Sequence, residues 1–139
     1  MNKSAENFSP IVSICMITYN HQQFVSEAIE STLNQETDYS FELVIGEDYS
    51  ADDTRKICEE FQKKYPDKII LLNSDRNYGI GKNFFRTLSA CKGKYIAICE
   101  GDDFWHDATK IQKQISFMEE NQQYVFTTIT HQTIDSPNA

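Results

Sequence analysis

The stretch IAICEGDDFW, residues 96–105, ends an apolar run at Cys99 and then sets out three carboxylates, Glu100, Asp102 and Asp103. Carboxylates crowd together at a cost unless they protonate or meet a cation. Three chemistries fit these residue types. The first is a solvated acidic turn in which Asp103 or Asp107 starts the next helix. The second is an all-oxygen site for magnesium or manganese, which take one or two carboxylates together with ligand phosphates. The third is a carboxylate pair for general acid–base work. Residue types alone leave all three open.

A second acidic stretch, EDYSADDT, follows another apolar run. Ser50 or Asp52 reads as a helix N-cap, and acids in a first helical turn are favoured by the helix dipole. Glu47 and Asp48 come too early for that role. Carboxylates there can accept hydrogen bonds from a ribose or a base N–H. The segment NYGIGKN, residues 77–83, offers two glycines that permit close backbone approach. It matches neither GxGxxG nor a P-loop. Lys82 and Arg86 read as solvated helix charges or as phosphate contacts.

Composition narrows the partners. The chain has 139 residues, 40% of them hydrophobic, and a net charge of −8. That length supports one core and one domain, residues 1–139. The negative charge argues against nucleic acid, which wants a basic stripe, and against unaided docking on anionic lipid. No apolar run approaches the ~20 residues of a membrane span, and the polar start MNKSAENFSP has no signal-peptide core. Cys15, Cys58, Cys91 and Cys99 form no CxxC pair and read as reduced thiols of a cytoplasmic protein. His21, His106 and His131 show no zinc spacing.

Positioning these groups requires alternating elements. Strands are predicted at 11–18, 41–46, 68–73, 94–100 and 124–130. Helices are predicted between them. The first, 22–35, puts Phe24, Ala28, Ile29 and Leu33 on one face. The second, near 52–65, buries Ile57, Phe61 and Tyr65 and stops before Pro66. The third puts Phe84, Leu88 and Cys91 on one face. The fourth, capped by Asp107, uses Ile111, Ile115 and Met118. The tail SPNA reads as frayed. This order predicts a mostly parallel sheet with helices on both faces, a three-layer α/β/α architecture. Ligands of such sheets bind beyond the carboxyl ends of the strands. The residues there are Thr18, Tyr19 and Asn20; Glu47, Asp48, Ser50, Asp52 and Asp53; Asn73 to Asn83; and Glu100, Asp102 and Asp103.

Four segments in order resemble the nucleotide-sugar-binding part of family 2 glycosyltransferases. SICMITYNHQQFVSEAIESTLNQ looks like the opening strand, its YN turn and first helix. FELVIGEDYSADDT is similar to the DDGSxDxT motif. NYGIGKN resembles the NxGxxxN segment. GKYIAICEGDDFW followed by KIQKQISFMEEN looks like the DxD region and the helix after it. The resemblance covers about residues 10–126.

It implies a Rossmann-like GT-A fold and inverting transfer of a sugar, hexosyl or related, from a UDP- or GDP-linked donor to an acceptor hydroxyl in polysaccharide biosynthesis. Position by position, it implies nucleotide-sugar contacts at Thr18, Tyr19, Asn20, Glu47, Asp48, Asn77, Lys82, Asn83, Glu100, Gly101 and Asp102. Asp48 matches the acid that binds the base. Asp102 matches the DxD member that holds Mn or Mg, Glu100 stands where Asp is usual, and Asp103 matches a frequent extra acid. Tyr49 replaces the usual Gly of DDGS. The family's catalytic base and acceptor site lie well beyond DxD, and no residue here matches that base. The chain is therefore expected to be the donor half, without a catalytic residue of its own. Its acceptor would be a glycan or a lipid-linked glycan. In a longer enzyme it would sit in the cytoplasm or peripherally on the inner membrane face. An uncovered apolar face predicts self-association. A catalytically incomplete nucleotide-sugar-binding or scaffold domain of the same fold is the alternative. A nucleotidyltransferase fits less well, because TYNHQQF offers neither the glycine nor the Lys/Arg expected after strand one.

Overall fold

A computed structural model describes residues 9–130 and 132–134. His131 and the tail SPNA lie outside them, as do residues 1–8. The order is β1 (Val12–Thr18), α1 (Val25–Leu33), β2 (Phe41–Glu47), α2 (Thr54–Lys64), β3 (Ile69–Leu71), α3 (Ile80–Ala90), β4 (Tyr95–Ile98) and α4 (Lys110–Glu120). All strand pairs are parallel, in the order β3-β2-β1-β4.

Strand alternation sorts the sheet into two faces. Val12, Ile14 and Met16 stand beside Phe41, Leu43 and Ile45. With Ile69 and Leu71 they form the core against Val25, Ala28 and Ile29 of α1, Cys58 of α2, and Ile111 and Ile115 of α4. Each such aliphatic side chain contributes about 2 kcal/mol by leaving water. Ile57, Phe61 and Tyr65 pack at the margin of this core, as their spacing predicts. Phe24 does not join it: it lies before the first turn of α1 and is exposed, and the neighbouring Val25 is buried at that end instead.

The opposite face is covered differently. Here α3 packs on β1 and β2. Its buried residues are Asn83 and Thr87, whereas Phe84, Leu88 and Cys91 are only half-buried. The cause lies on β2. A Cβ at Gly46 would stand 1.9 Å from Thr87 Oγ1. The missing side chain lets the polar edge of α3 approach, and Asn83 Nδ2 donates to the Gly46 carbonyl at 2.7 Å. Beyond α3, the edge strand β4 leaves Ile96 and Ile98 exposed on this face.

The fifth strand predicted at 124–130 is not formed. The segment runs past α4, where Tyr124 stacks on Phe117 at 5.6 Å and Thr127 Oγ1 accepts from Gln114 Nε2. Val125 and Phe126 are exposed. The outer strands β3 and β4 each pair on one side only, yet this segment lies along α4; strand propensity alone does not make a strand.

Ahead of α4, the Asp107 carboxylate accepts from Thr109 N at 2.8 Å and pairs with Lys113 Nζ at 2.8 Å. These bonds, Lys113 first, hold its carboxyl well below the usual range. A depressed folded-state value means stability that is present above the unfolded carboxylate pKa and is lost as pH falls through the folded one. The melting deficit of Asp107→Ala against wild type is therefore expected to shrink between pH 7 and pH 3; a constant deficit would contradict this.

All four cysteines are free thiols. Burial pushes Cys58 and Cys99 up to about 12, so both stay protonated and inert. Among the described residues no helix is long and apolar enough to cross a membrane.

Candidate functional site

Four loops leave the carboxyl ends of the strands and are tied to one another. The turn after β1 and the turn after β2 exchange five hydrogen bonds. Asn20 N donates to Ser50 Oγ, His21 N to Thr54 Oγ1 and Gln22 N to Asp52 Oδ2. In return, Ala51 N donates to Asn20 Oδ1 and Asp53 N to Gln22 Oε1. Asp52 also accepts from Thr54 N just ahead of α2, but the N-cap of that helix is Asp53, without a side-chain cap bond, rather than the expected Ser50 or Asp52; Ser50 serves the neighbouring loop. Asn20, at φ 53°, adopts the left-handed turn that suits asparagine.

Asp48 latches the third loop. Its Oδ1 accepts from Tyr78 N at 2.7 Å and its Oδ2 from Gly79 N at 2.9 Å, while Asn77 Nδ2 donates to its carbonyl. Gly79, at φ 83°, supplies a backbone shape that side chains resist. Asp48 is only 3% exposed, so its first task is to hold the NYG segment. Any base contact would use its remaining lone pairs.

Glu47 and Asn83 are turned inward. Glu47 is fully buried; its Oε1 accepts from Ser50 N at 2.7 Å. Its Oε2 has no hydrogen-bond partner and faces Arg55 Nη1 at 3.8 Å, where the guanidinium offsets its charge. Asn83 Oδ1 accepts from Arg86 Nε. Arg86 further donates to the carbonyls of Asn73 and Glu47 and lies 4.5 Å from the Tyr78 ring centre. It braces the rim, whereas Lys82 is exposed in the first turn of α3.

The fourth loop carries the acidic stretch. Oxygens of Glu100, Asp102 and Asp103 all lie within 4.8 Å of one another, and all three residues are exposed. Burial, then the charges of Asp102 and Asp103, push the Glu100 carboxyl above its usual range, and His21 offsets part of this. A hard divalent cation answers that repulsion, and the all-oxygen donor set fits magnesium or manganese. Gly101 closes the loop onto β1: its N donates to the Ile17 carbonyl, and a Cβ there would stand 2.3 Å from Thr18 Oγ1. Thr18 is buried and bonds His21 Nδ1 at 3.0 Å, and His21 Nε2 stands 3.8 Å from Asp102 Oδ2. Tyr19 is half exposed beside this group. Sequence reasoning passed over Arg55, weighed His21 only as a zinc ligand, and read Arg86 as a solvated helix charge or a phosphate contact, whereas it bonds Asn83 and the carbonyls of Asn73 and Glu47. Their positions show only when strands distant in the chain come together.

Comparison with known proteins gives a consistent result. A family model described as Glycosyl transferase family 2 matches residues 13–138. The dTDP-rhamnosyl transferase RfbG of Shigella flexneri is 37% identical over 95 residues, which cover 66% of this chain and 32% of that protein. The structure of S. aureus TarS (residues 1–349) with UDP superposes with a TM-score of 0.69 at 24% identity, covering 80% of this chain and 32% of that one. The mannosyltransferase PcManGT of Pyrobaculum calidifontis, bound to GDP-Man and Mn2+, superposes with a TM-score of 0.69 at 20% identity, covering 81% and 33%. These two likenesses are likenesses of fold. The chain spans about a third of the length of such curated relatives.

Proposed function

Since this chain belongs to glycosyl transferase family 2, we propose that it supplies the donor-binding part of an enzyme that transfers a sugar from a nucleoside diphosphate to an acceptor hydroxyl with inversion. The observation that carries this reading is the gathering of Glu100, Asp102 and Asp103 on the same rim as the three interlocked loops.

In this proposal Asp102, with Asp103 beside it, holds Mn or Mg, and Glu100 reaches the ion's shell or the ribose. When bound, the cation neutralises charge developing on the leaving diphosphate oxygens. The chain's own residues do the placing. Thr18 and Gly101 press the acidic loop against the end of β1. Tyr19 and Asn20 border the ribose. Asn77 and Lys82 face the donor from the third loop, and Asp48 keeps that loop in position.

Relatives support the ligand class: TarS has been captured with UDP and PcManGT with GDP-Man and Mn2+. The acceptor, a glycan or lipid-linked glycan, is proposed to meet the donor outside the described rim. Exposed Ile96 and Ile98 are the face proposed for self-association. A thermal-shift panel of UDP- and GDP-sugars tests the reading, because a ligand of the folded protein alone raises its melting temperature. A rise with at least one donor, larger with manganese than with EDTA, is expected. No rise with any donor would contradict it.

A further inference from the structure

His21 joins the end of β1 to the acidic loop. Asn20, at φ 53°, reverses the chain after β1, and the His21 ring returns onto Thr18. The backbone of His21 is held on both sides. Its N–H donates to Thr54 Oγ1 at 2.8 Å, and its carbonyl accepts from Phe24 N at 2.9 Å and Val25 N at 2.8 Å as α1 begins. The ring stands between Thr18 Oγ1, 3.0 Å from Nδ1, and Asp102 Oδ2, 3.8 Å from Nε2. Gly101 lets the acidic loop come this close. A Cβ there would run into Thr18 Oγ1 and stand 3.0 Å from His21 Nδ1. Gly101 lies outside the left-handed region, so glycine serves the close approach rather than the turn.

The neighbours decide which ring nitrogen carries the proton. An ionised carboxylate only accepts, so Nε2, which faces Asp102, bears the N–H. Nδ1 is then the acceptor, and the buried Thr18 hydroxyl donates to it. A gap of 3.8 Å is longer than a hydrogen bond, and closing it takes a shift of about 1 Å by a carboxylate that is 47% exposed. Carboxylates that ligate metals are themselves oriented by hydrogen bonds from outer partners. The same ring offsets part of the repulsion that Glu100 meets in the acidic cluster.

We propose that His21 is a positioning residue for the divalent cation: its Nε2–H holds Asp102 Oδ2 and leaves Oδ1 to meet the ion, while Thr18 keeps the ring proton on Nε2. The inference rests on the donor-binding reading above. His21 does not itself ligate the ion, because one nitrogen is committed to Thr18 and the other to Asp102.

The test measures the manganese concentration that half-saturates the protein with UDP or GDP present, read as loss of the free-ion signal in electron paramagnetic resonance. Two variants separate the two bonds of the ring. In His21→Gln the amide reaches as far as Nε2, toward Asp102; in His21→Asn it reaches only as far as Nδ1, toward Thr18. His21→Ala is expected to raise the half-saturating concentration about tenfold. His21→Asn should match it, and His21→Gln should return to within about threefold of wild type. Rescue by Asn rather than Gln, or an equal loss in all three variants, would show a merely structural role and overturn the proposal. A second measurement needs only the wild type: 15N NMR of the His21 ring at about pH 8, where an ordinary imidazole is neutral. The proton is expected on Nε2, and a proton on Nδ1 would overturn the proposal. Normal manganese uptake that no His21 variant changes would overturn this inference alone. A wild type that takes up no manganese with either nucleotide would overturn the donor-binding reading and this inference with it.

Discussion

Asp102→Asn is expected to weaken manganese-dependent binding of a nucleoside diphosphate by about 100-fold, since loss of a ligand should cost at least what loss of its supporting partners does. Amide oxygen is a poorer ligand for a hard cation than carboxylate oxygen, and the substitution also removes one of the three charges that make the site. The fold should hardly notice. The Asp102 side chain is 47% exposed, and among the described residues its ion pair is the 3.8 Å approach of His21 Nε2. Such a pair is worth about 0–1 kcal/mol, and relief of repulsion with Glu100 and Asp103 opposes its loss. The melting temperature should therefore stay within about 2 °C of wild type. Titration of Asp102→Asn with UDP and GDP, with manganese and with EDTA, checks this. Equal affinity for wild type and variant in manganese would remove Asp102 from the cation site.

Asp48→Ala should behave in the opposite way. It removes a buried carboxylate that accepts from Tyr78 N and Gly79 N, leaving two backbone donors with no acceptor. Charge-assisted hydrogen bonds contribute about 1.5–3 kcal/mol each, and part of the loss is recovered by water entering the loop. A destabilisation of about 3 kcal/mol, or about 10 °C in melting temperature, follows. Asp48→Asn should rescue little, because one of its two terminal atoms becomes an N–H facing another N–H. Nucleotide binding should fall with the loop, and excess manganese should not restore it. A melting temperature for Asp48→Ala within 2 °C of wild type would show that the NYG segment does not depend on this carboxylate. The two variants separate acids that look alike in sequence: one is exposed in the acidic cluster, the other is buried and holds the loop.

Much of the fold is legible in the residues. The apolar runs are buried throughout in β2 and everywhere but Ile17 in β1, so their composition alone marks central strands. The face of α4 follows from Ile111, Ile115 and Met118 at helical spacing. What escapes is set by contacts between distant segments. The buried side of α3 is polar because Gly46, on another strand, makes room for Asn83 and Thr87. The 124–130 segment has strand composition, but composition does not record which edge is available to pair with. The site divides along the same line. The Glu100–Asp103 cluster is local and shows at once. Glu47 and Asn83 have the residue types of ligand contacts, yet Ser50, Arg55, Gly46 and Arg86 draw them inward. The left-handed turn at Tyr49 is imposed by hydrogen bonds from the β1 loop, and a single sequence does not display those.

The central claim is that this rim binds a donor nucleotide through a divalent cation. Calorimetric titration of the folded protein with UDP and with GDP, each in manganese and again in EDTA, tests it most directly. Saturable binding of at least one of the two in manganese, lost in EDTA, is the predicted result. Absence of binding to either, or binding that EDTA leaves unchanged, would contradict it.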